Sequence, residues 1–137
     1  DGQEAAPGTV VGGLGLLPVE VDFGATKTLT LSHGRWRGID VGGYEIHHGV
    51  CHPLEEVEAF LDGVRVGSVW GTMWHGAFEH DEFRRTWLSD IARHAGSSWR
   101  PNPDEPGYQV RREAMIETLA DAVEAHVDVD QILHLAR

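Results

Sequence analysis

A histidine follows an apolar stretch in "GTMWHGAF", residues 71 to 78, where His75 lies between Trp74 and Gly76. An imidazole can transfer protons near neutral pH, bind a metal ion, or occupy a hydrogen-bonded place in the core. The stretch "GGYEIHHG", residues 42 to 49, repeats the pattern, with a carboxylate and two histidines between glycines. Glycine leaves space for the close approach of another group. These two stretches are therefore the candidate sites of chemistry.

A metal site is one interpretation of the histidines around the single cysteine. Cys51 lies in "HHGVCHPLEE", close to His47, His48 and His52. Adjacent residues of a strand point to opposite faces, and one thiol among crowded histidines matches no usual zinc spacing. We therefore expect no metal site, and we expect Cys51 to be a small apolar side chain in a loop.

Strands are predicted to position both stretches. "TKTLTL" (26 to 31) and "YEIHH" (44 to 48) alternate as strands do, and a shorter extended piece ends "GLGLLPVEV" (13 to 21). In the second of these, Tyr44, Ile46 and His48 point one way, and Glu45 and His47 the other. The segment 56 to 74 predicts two strands around an Asp62-Gly63 turn, and a further strand then leads to His75.

Helices are predicted in the second half. Asp81 is a candidate N-cap for "EFRRTWLSDIARHAG", and Gly96 ends that helix. "YQVRREAMIETLADAVEAHV" (108 to 127) has the spacing of a long amphipathic helix, and Asp128 or Asp130 caps a last short one. The order, strands first and helices later, predicts an α/β fold.

Composition restricts the partners. The 137 residues suffice for one domain, and 41% of them are hydrophobic. A net charge of −11 without a basic patch argues against nucleic acid. No apolar run is long enough to span a bilayer, so no membrane partner is expected. The acidic start is not a secretory signal and the single cysteine excludes an internal disulfide, so a cytoplasmic location is expected.

The order of the motifs resembles the cobyric acid synthase family. "GLGLLPVEV", "GYEIHHG", "GTMWHGAFEHDEFRRTWL" and the closing "VDVDQILHL" follow one another as in the C-terminal part of that family's glutamine amidotransferase domain. The resemblance covers nearly the whole chain. A sister family, cobyrinic acid a,c-diamide synthase, shares the architecture, but the run "GLGLLPVE" favours the cobyric acid enzymes. The resemblance implies that residues 1–137 are part of a class I amidotransferase domain, which is flavodoxin-like.

The resemblance also implies a reaction. The family amidates side-chain carboxylates of adenosylcobyrinic acid a,c-diamide in cobalamin biosynthesis. Glutamine supplies the ammonia, and ATP with Mg²⁺ acts in an N-terminal domain, so no cofactor is expected in this chain. A cysteine thiolate attacks glutamine, while a histidine takes the thiol proton and later gives it to the leaving ammonia. His75 matches that catalytic histidine. Glu45 and His47, in the neighbouring motif, would line the substrate or orient His75.

The sequence departs from the broader class I pattern in two ways. Many relatives carry an acid two residues after the catalytic histidine, where this chain has Ala77. The nucleophile belongs in a G-x-C-x-G elbow, and this sequence has none; Cys51 lacks the flanking glycines. The first residues also resemble a loop that leads into a sheet whose earlier strands lie upstream. We therefore expect the nucleophile segment and the ATP-binding domain to lie upstream, and the chain alone to be inactive.

Two functional hypotheses follow. The chain is either part of a glutamine-dependent amidoligase, or a non-catalytic amidotransferase-like binding module that lacks the nucleophilic cysteine. In either case an uncovered sheet face would favour self-association. The residues expected to mediate it are Leu14, Leu16, Leu17 and Val19, which form the apolar run nearest the start.

Overall fold

A long β-hairpin dominates the computed structural model, which describes residues 5–135. Strand β1 (Val19–Trp36) pairs antiparallel with β2 (Ile39–Pro53). Arg37 and Gly38 connect them with φ values of 50° and 85°. Positive φ at both central residues is the mark of a type I′ turn, whose twist matches that of the strands. The predicted strands 26 to 31 and 44 to 48 are confirmed, and both belong to this hairpin.

The register divides the hairpin into two faces, because directly paired residues point the same way. The inner face carries Trp36 and Val41, which are both buried. The outer face carries the pairs Leu31–Tyr44 and Leu29–Ile46, whose side chains are all exposed. We use the term outer patch for Leu29, Leu31, Tyr44 and Ile46.

Three short strands form a second sheet. They are β3 (Glu58–Phe60), β4 (Gly63–Val66) and β5 (Val69–Gly71), in the order β3-β4-β5 with antiparallel pairing. The predicted hairpin is confirmed, but its loop is Leu61 and Asp62, since Gly63 already pairs with Phe60. A Cβ on Gly63 would lie 2.2 Å from the carbonyl oxygen of Gly71. The glycine therefore allows close strand approach and does not form the turn.

Helix α1 (Asp81–His94) follows a single 3₁₀ turn, Ala77–Glu79. Its N-cap residue is His80. The prediction of Asp81 as the cap is therefore wrong by one residue, because Asp81 is the first residue of the helix. The predicted stop is confirmed: Gly96 has φ 67°, and its N–H donates to the carbonyl of Arg93 at 3.1 Å. A left-handed glycine just beyond the last turn is a common helix ending.

An aromatic cluster forms the core between hairpin, second sheet and α1. The ring of Trp36 lies edge-on to Phe60 and Phe83, with centroids 6.1 and 5.6 Å away. All three are buried. Offset and edge-to-face arrangements at such distances are the favoured aromatic geometries. The core therefore joins the hairpin tip to α1, the helix that follows His75.

An ion pair joins the same two elements. Asp90 of α1 is 1% exposed, and its Oδ1 accepts hydrogen bonds from Arg37 at 2.8 Å and from Arg93 at 2.9 Å. Burial acts to raise the pKa of Asp90, but the hydrogen bond and charge of Arg37, with the charges of His94 and Arg93, outweigh it and lower the pKa. We call Asp90, Arg37 and Arg93 the tip clamp.

The chain divides into two compact units at Pro101 and Asn102. In the second unit, α2 (Tyr108–His126) and α3 (Val129–Leu135) confirm the two predicted helices. The Asp128 carboxylate accepts the N–H of Gln131 at 2.9 Å, so Asp128 is the cap. None of the helices within residues 5–135 has the length and apolarity needed to cross a membrane. The α/β fold class, with strands before helices, is confirmed.

Candidate active site

The segment that leads to His75 is held by one carboxylate. Asp62 accepts a hydrogen bond from the Thr72 hydroxyl and another from the Met73 N–H at 3.2 Å. The Thr72 hydroxyl oxygen in turn accepts the N–H of Trp74 at 3.1 Å. These bonds satisfy backbone donors in a segment that is not part of a named strand. They fix the path of the chain immediately before the histidine.

His75 itself is tied to β2 through its backbone. Its N–H donates to the Tyr44 carbonyl at 2.8 Å, and its own carbonyl accepts the Tyr44 N–H at 2.9 Å. This antiparallel pairing puts both side chains on the outer face, where their rings stack with centroids 5.2 Å apart and planes 15° from parallel. The His75 side chain is exposed, and within the described residues its imidazole forms no hydrogen bond. The ring is thus placed by backbone and stacking alone.

Gly76 turns the chain sharply after the histidine. Its φ is 73°, a left-handed conformation that suits glycine. A Cβ at this position would also lie 3.1 Å from Cε1 of Tyr44. The 3₁₀ turn then carries Ala77 into the core, where it is buried. The position at which many relatives have an acid therefore faces the core, away from solvent.

A polar cluster lies on the inner face of the same strand. The Glu45 carboxylate accepts a hydrogen bond from the Ser32 hydroxyl and pairs with Nε2 of His47 at 3.0 Å. The Ser32 bond is the largest influence on the pKa of Glu45; burial opposes it, the bond and charge of His47 support it, and the net pKa is lowered. The carboxylate is therefore the stable form. Nδ1 of His47 is buried without a hydrogen-bond partner among the described residues.

The structure brings Glu45 and His47 together but does not bring either into contact with His75. Glu45 and His47 are two residues apart on β2 and point to its inner face. His75 pairs with Tyr44, so its side chain points to the outer face. The link is Trp74, whose indole also contributes to lowering the pKa of Glu45. A Cβ on Gly43 would lie 3.1 Å from Cβ of Trp74. Trp74 therefore lies on the same face as Glu45 and directly precedes His75, although its buried Nε1 forms no hydrogen bond within the described residues.

Cys51 belongs to the inner face as well. It pairs with Val21 in the hairpin and is half-buried. Burial, with a smaller contribution from the charge of Asp62, raises the pKa of the Cys51 thiol. A raised pKa reduces the thiolate fraction, and the thiolate is the nucleophilic form. The chemistry of this site gives no support to Cys51 as a nucleophile.

Sequence reasoning missed several residues that place the histidine. The clearest is His80: its Nε2 accepts the N–H of Gly42 at 3.1 Å and so ties the end of the 3₁₀ turn to β2. Tyr44, Asp62 and Trp74 act as described above. The only sequence signal was the proximity of Tyr44 to Glu45 in one motif. The partners come from elements distant in sequence, so local patterns do not reveal them.

Metal-binding groups are dispersed across the described part of the chain. Residues 5–135 contain no cluster of three or more histidine, cysteine, aspartate or glutamate side chains that could hold an ion. No chemical step in this chain is assigned to ATP or to a metal.

Comparison with known proteins identifies the family. A model described as a CobB/CobQ-like glutamine amidotransferase domain matches residues 1–83, more than half of the chain. The chain belongs to this family. Both candidate stretches, 42 to 49 and 71 to 78, lie inside the matched range. The flavodoxin-like amidotransferase class expected from the motifs is thereby confirmed.

Three relatives of this amidotransferase chain are named cobyric acid synthase. The protein from Cutibacterium acnes is 83% identical over 137 residues, which is 100% of this chain and 28% of that protein. Those from Mycolicibacterium gilvum and Streptomyces coelicolor are each 47% identical, over 93% and 91% of this chain and 24% of each relative. The amidotransferase chain thus spans about a quarter of the length of these curated relatives. The resemblance to cobyric acid synthases is confirmed. No solved structure matches the chain.

Proposed function

We propose that this chain is the histidine-bearing part of the glutamine amidotransferase domain of a cobyric acid synthase. The complete enzyme would amidate side-chain carboxylates of adenosylcobyrinic acid a,c-diamide with ammonia from glutamine. The nucleophilic cysteine and the ATP-binding domain, with its Mg²⁺, would be supplied by other parts of the enzyme. The observation that carries the proposal is the placement of His75: its backbone is fixed by Tyr44, and its exposed ring stacks on Tyr44 with no hydrogen bond to its nitrogens within the described residues.

His75 would act as general base and then as general acid. It accepts the thiol proton of the incoming cysteine, and the thiolate sulfur attacks the side-chain amide carbon of glutamine. The carbon–nitrogen bond breaks, and ammonia leaves with the proton returned by His75. Water then cleaves the thioester to glutamate and free thiol. Positioned proton transfer of this kind contributes a factor of about 10² to 10⁴ in rate.

The outer patch supports this reading because it places exposed apolar surface beside the candidate base. Leu29, Leu31 and Ile46 are large and exposed, and Tyr44 joins them to His75. Contiguous apolar surface of this kind marks an interaction site. A covering segment that carried the thiol would exclude water from the patch and deliver sulfur to the imidazole in one step.

Glu45 and His47 would position the base indirectly. His47 and Ser32 hold the Glu45 carboxylate, which faces the indole of Trp74, and Trp74 precedes His75. Both Glu45 and His47 are mostly buried. We therefore assign them an orienting role through Trp74 in preference to direct contact with glutamine.

The test uses a chimera, which we call the carrier enzyme: the C. acnes cobyric acid synthase with its matching segment replaced by this chain. His75→Ala should lower glutamine-dependent amidation by at least about 10²-fold, since the base is removed. Amidation fed by ammonium chloride should stay unchanged, because that route needs no glutamine hydrolysis.

The matched control is His52→Ala, which removes an exposed imidazole from the same hairpin. It should alter neither activity. Equal loss of both activities in His75→Ala would assign His75 a structural role. Full retention of both would favour the non-catalytic binding module.

A further inference from the structure

The stacked ring of Tyr44 occupies the place where an orienting group for His75 is needed. In many amidotransferases an acid two residues beyond the histidine has that task, but here Ala77 is buried in the core. Glu45 lies on the opposite face of β2. Within the described residues no side chain hydrogen-bonds to the His75 imidazole. What does contact the imidazole is the aromatic face of Tyr44, 5.2 Å away and nearly parallel.

We propose that Tyr44 is the positioning residue of His75: its stacked ring sets the imidazole plane and stabilises the imidazolium that forms when the thiol proton arrives. This inference rests on the proposed function. Among residues 5–135, one backbone pairing and one ring contact fix His75, so the ring is restrained by the ring contact. A nearly parallel ring at this distance leaves the edge of the imidazole, where both nitrogens lie, open to a substrate.

Charge supports the same assignment. An aromatic face carries negative electrostatic potential and attracts a cation centred within about 6 Å of the ring centroid. The neutral imidazole gains less from this face than the protonated one. An imidazolium formed during the reaction would therefore be attracted to this ring, which is the contact an acid partner would otherwise supply.

Gly76 preserves the stack. A side chain there would lie 3.1 Å from Cε1 of Tyr44 and 3.7 Å from Oε1 of Glu79, so it would crowd the ring. Glu79 is the nearest competing explanation, since its carboxylate lies beside the same turn. It forms no hydrogen bond with His75 among the described contacts, and Glu79→Gln is the variant that separates the two possibilities.

The experiment compares variants of the carrier enzyme. Tyr44→Phe keeps the aromatic face and should retain glutamine-dependent kcat within about twofold. Tyr44→Leu keeps apolar bulk without the face and should lower that kcat about tenfold, with KM nearly unchanged. Ammonium-fed amidation should be unaffected in both. The matched control is Val50→Ala, because Val50 lies on the same strand outside the outer patch and is 51% exposed against 41% for Tyr44; it should leave both activities intact.

A second readout does not depend on activity. In carrier enzyme with ¹³C-labelled histidine, the ring protons of His75, assigned through His75→Ala, should be shifted upfield by the Tyr44 ring current. The shift should persist in Tyr44→Phe and disappear in Tyr44→Leu. Its absence from the unsubstituted protein would overturn the inference and leave the proposed function standing.

The kinetic outcomes separate the two claims. If His75→Ala abolishes glutamine use while Tyr44→Leu does not change it, the positioning role is wrong and the proposed function survives. If Glu79→Gln shows the tenfold loss and Tyr44→Leu does not, Glu79 is the orienting group. Equal loss of glutamine-fed and ammonium-fed activity in Tyr44→Leu would show a merely structural role and also overturn the inference.

Discussion

Removing Arg37 from the tip clamp should destabilise the fold far more than removing Arg93, although both contact the same oxygen. Asp90 is 1% exposed, whereas the arginine side chains are 42% and 65% exposed. The buried member is the carboxylate, and the arginines differ in how far they neutralise it. Arg37→Met deletes the partner that contributes most to lowering the pKa of Asp90 and leaves the more exposed Arg93 and His94.

The magnitude follows from this asymmetry. Leaving a buried charge without its partner costs about 3–5 kcal/mol. Because Arg93 remains 2.9 Å away, we place Arg37→Met near the lower end, at about 3 kcal/mol. Loss of the Arg37 cation–π contact with Trp36, at 4.7 Å, adds roughly 0.5–1 kcal/mol. Arg93→Met leaves the shorter pair intact and should cost no more than about 1 kcal/mol.

Urea unfolding followed by tryptophan fluorescence measures these differences. Trp36, one of five tryptophans, lies against Arg37, so the hairpin tip contributes to this signal. The double variant Arg37→Met with Asp90→Asn removes the stranded charge and should be more stable than Arg37→Met alone by about 1 kcal/mol or more. The reasoning would be refuted if the costs of Arg37→Met and Asp90→Asn simply added in the double variant. Equal costs for Arg37→Met and Arg93→Met would also refute it.

The clamp also has a pH dependence. The pKa of Asp90 is lower in the folded state than the ordinary value of about 4, so its contribution to stability is fully present above that pH. It is lost as the pH falls through the folded-state pKa. The stability difference between the native chain and Arg37→Met should therefore shrink below about pH 4. A difference that grows on acidification would contradict the assigned sign.

Two further outcomes are expected of the isolated chain. It should release no ammonia from glutamine, because the raised pKa of Cys51 and its inner-face position make it a poor nucleophile; ammonia release that disappears in Cys51→Ser would reverse this view. It should also self-associate at micromolar concentration, as measured by sedimentation velocity. Replacing Leu29 and Leu31 by glutamate should weaken that association, because it places charge on the outer patch. A concentration-independent monomer before substitution would show that the patch does not drive self-association.

The structure shifts the expected contact surface. Leu14 and Leu16 are exposed as anticipated. Leu17 instead packs closely on Gly71, since a Cβ added to Gly71 would lie 2.6 Å from Cδ1 of Leu17. Val19 already belongs to β1, paired with Pro53. The outer patch adds four exposed side chains that are neighbours in the hairpin register. Self-association remains a prediction, now with the outer patch as its main site.

Local patterns predicted what depends on local chemistry. Alternation located the strands around Leu29 and Glu45, and Gly96 and Asp128 marked helix ends, because period and capping act over a few residues. The hairpin itself was not foreseen. The turn has Arg37 where asparagine is usual, so the sequence carries no typical signal for it. In addition, an irregularity between Phe23 and Thr28 interrupts the alternation along β1.

The candidate site was predictable only in part. His75 stood out because of its neighbours and its motif. Its pairing with Tyr44 joins residues far apart in the chain, and no local rule specifies such a partner. The same long-range register decides that Glu45 faces inward. The orienting role that we propose for Glu45 therefore runs through Trp74.

The backbone pairing of His75 has a consequence for evolution and for screening. The atoms that anchor this position, its N–H and carbonyl oxygen, are common to every residue except proline, which lacks the N–H. The atoms proposed to do chemistry belong to the side chain alone. Most inactivating changes at this position would therefore leave expression level and melting temperature nearly unaltered. A survey of natural variants that filters on protein abundance would overlook them, and only a measurement of glutamine consumption would reveal the defect.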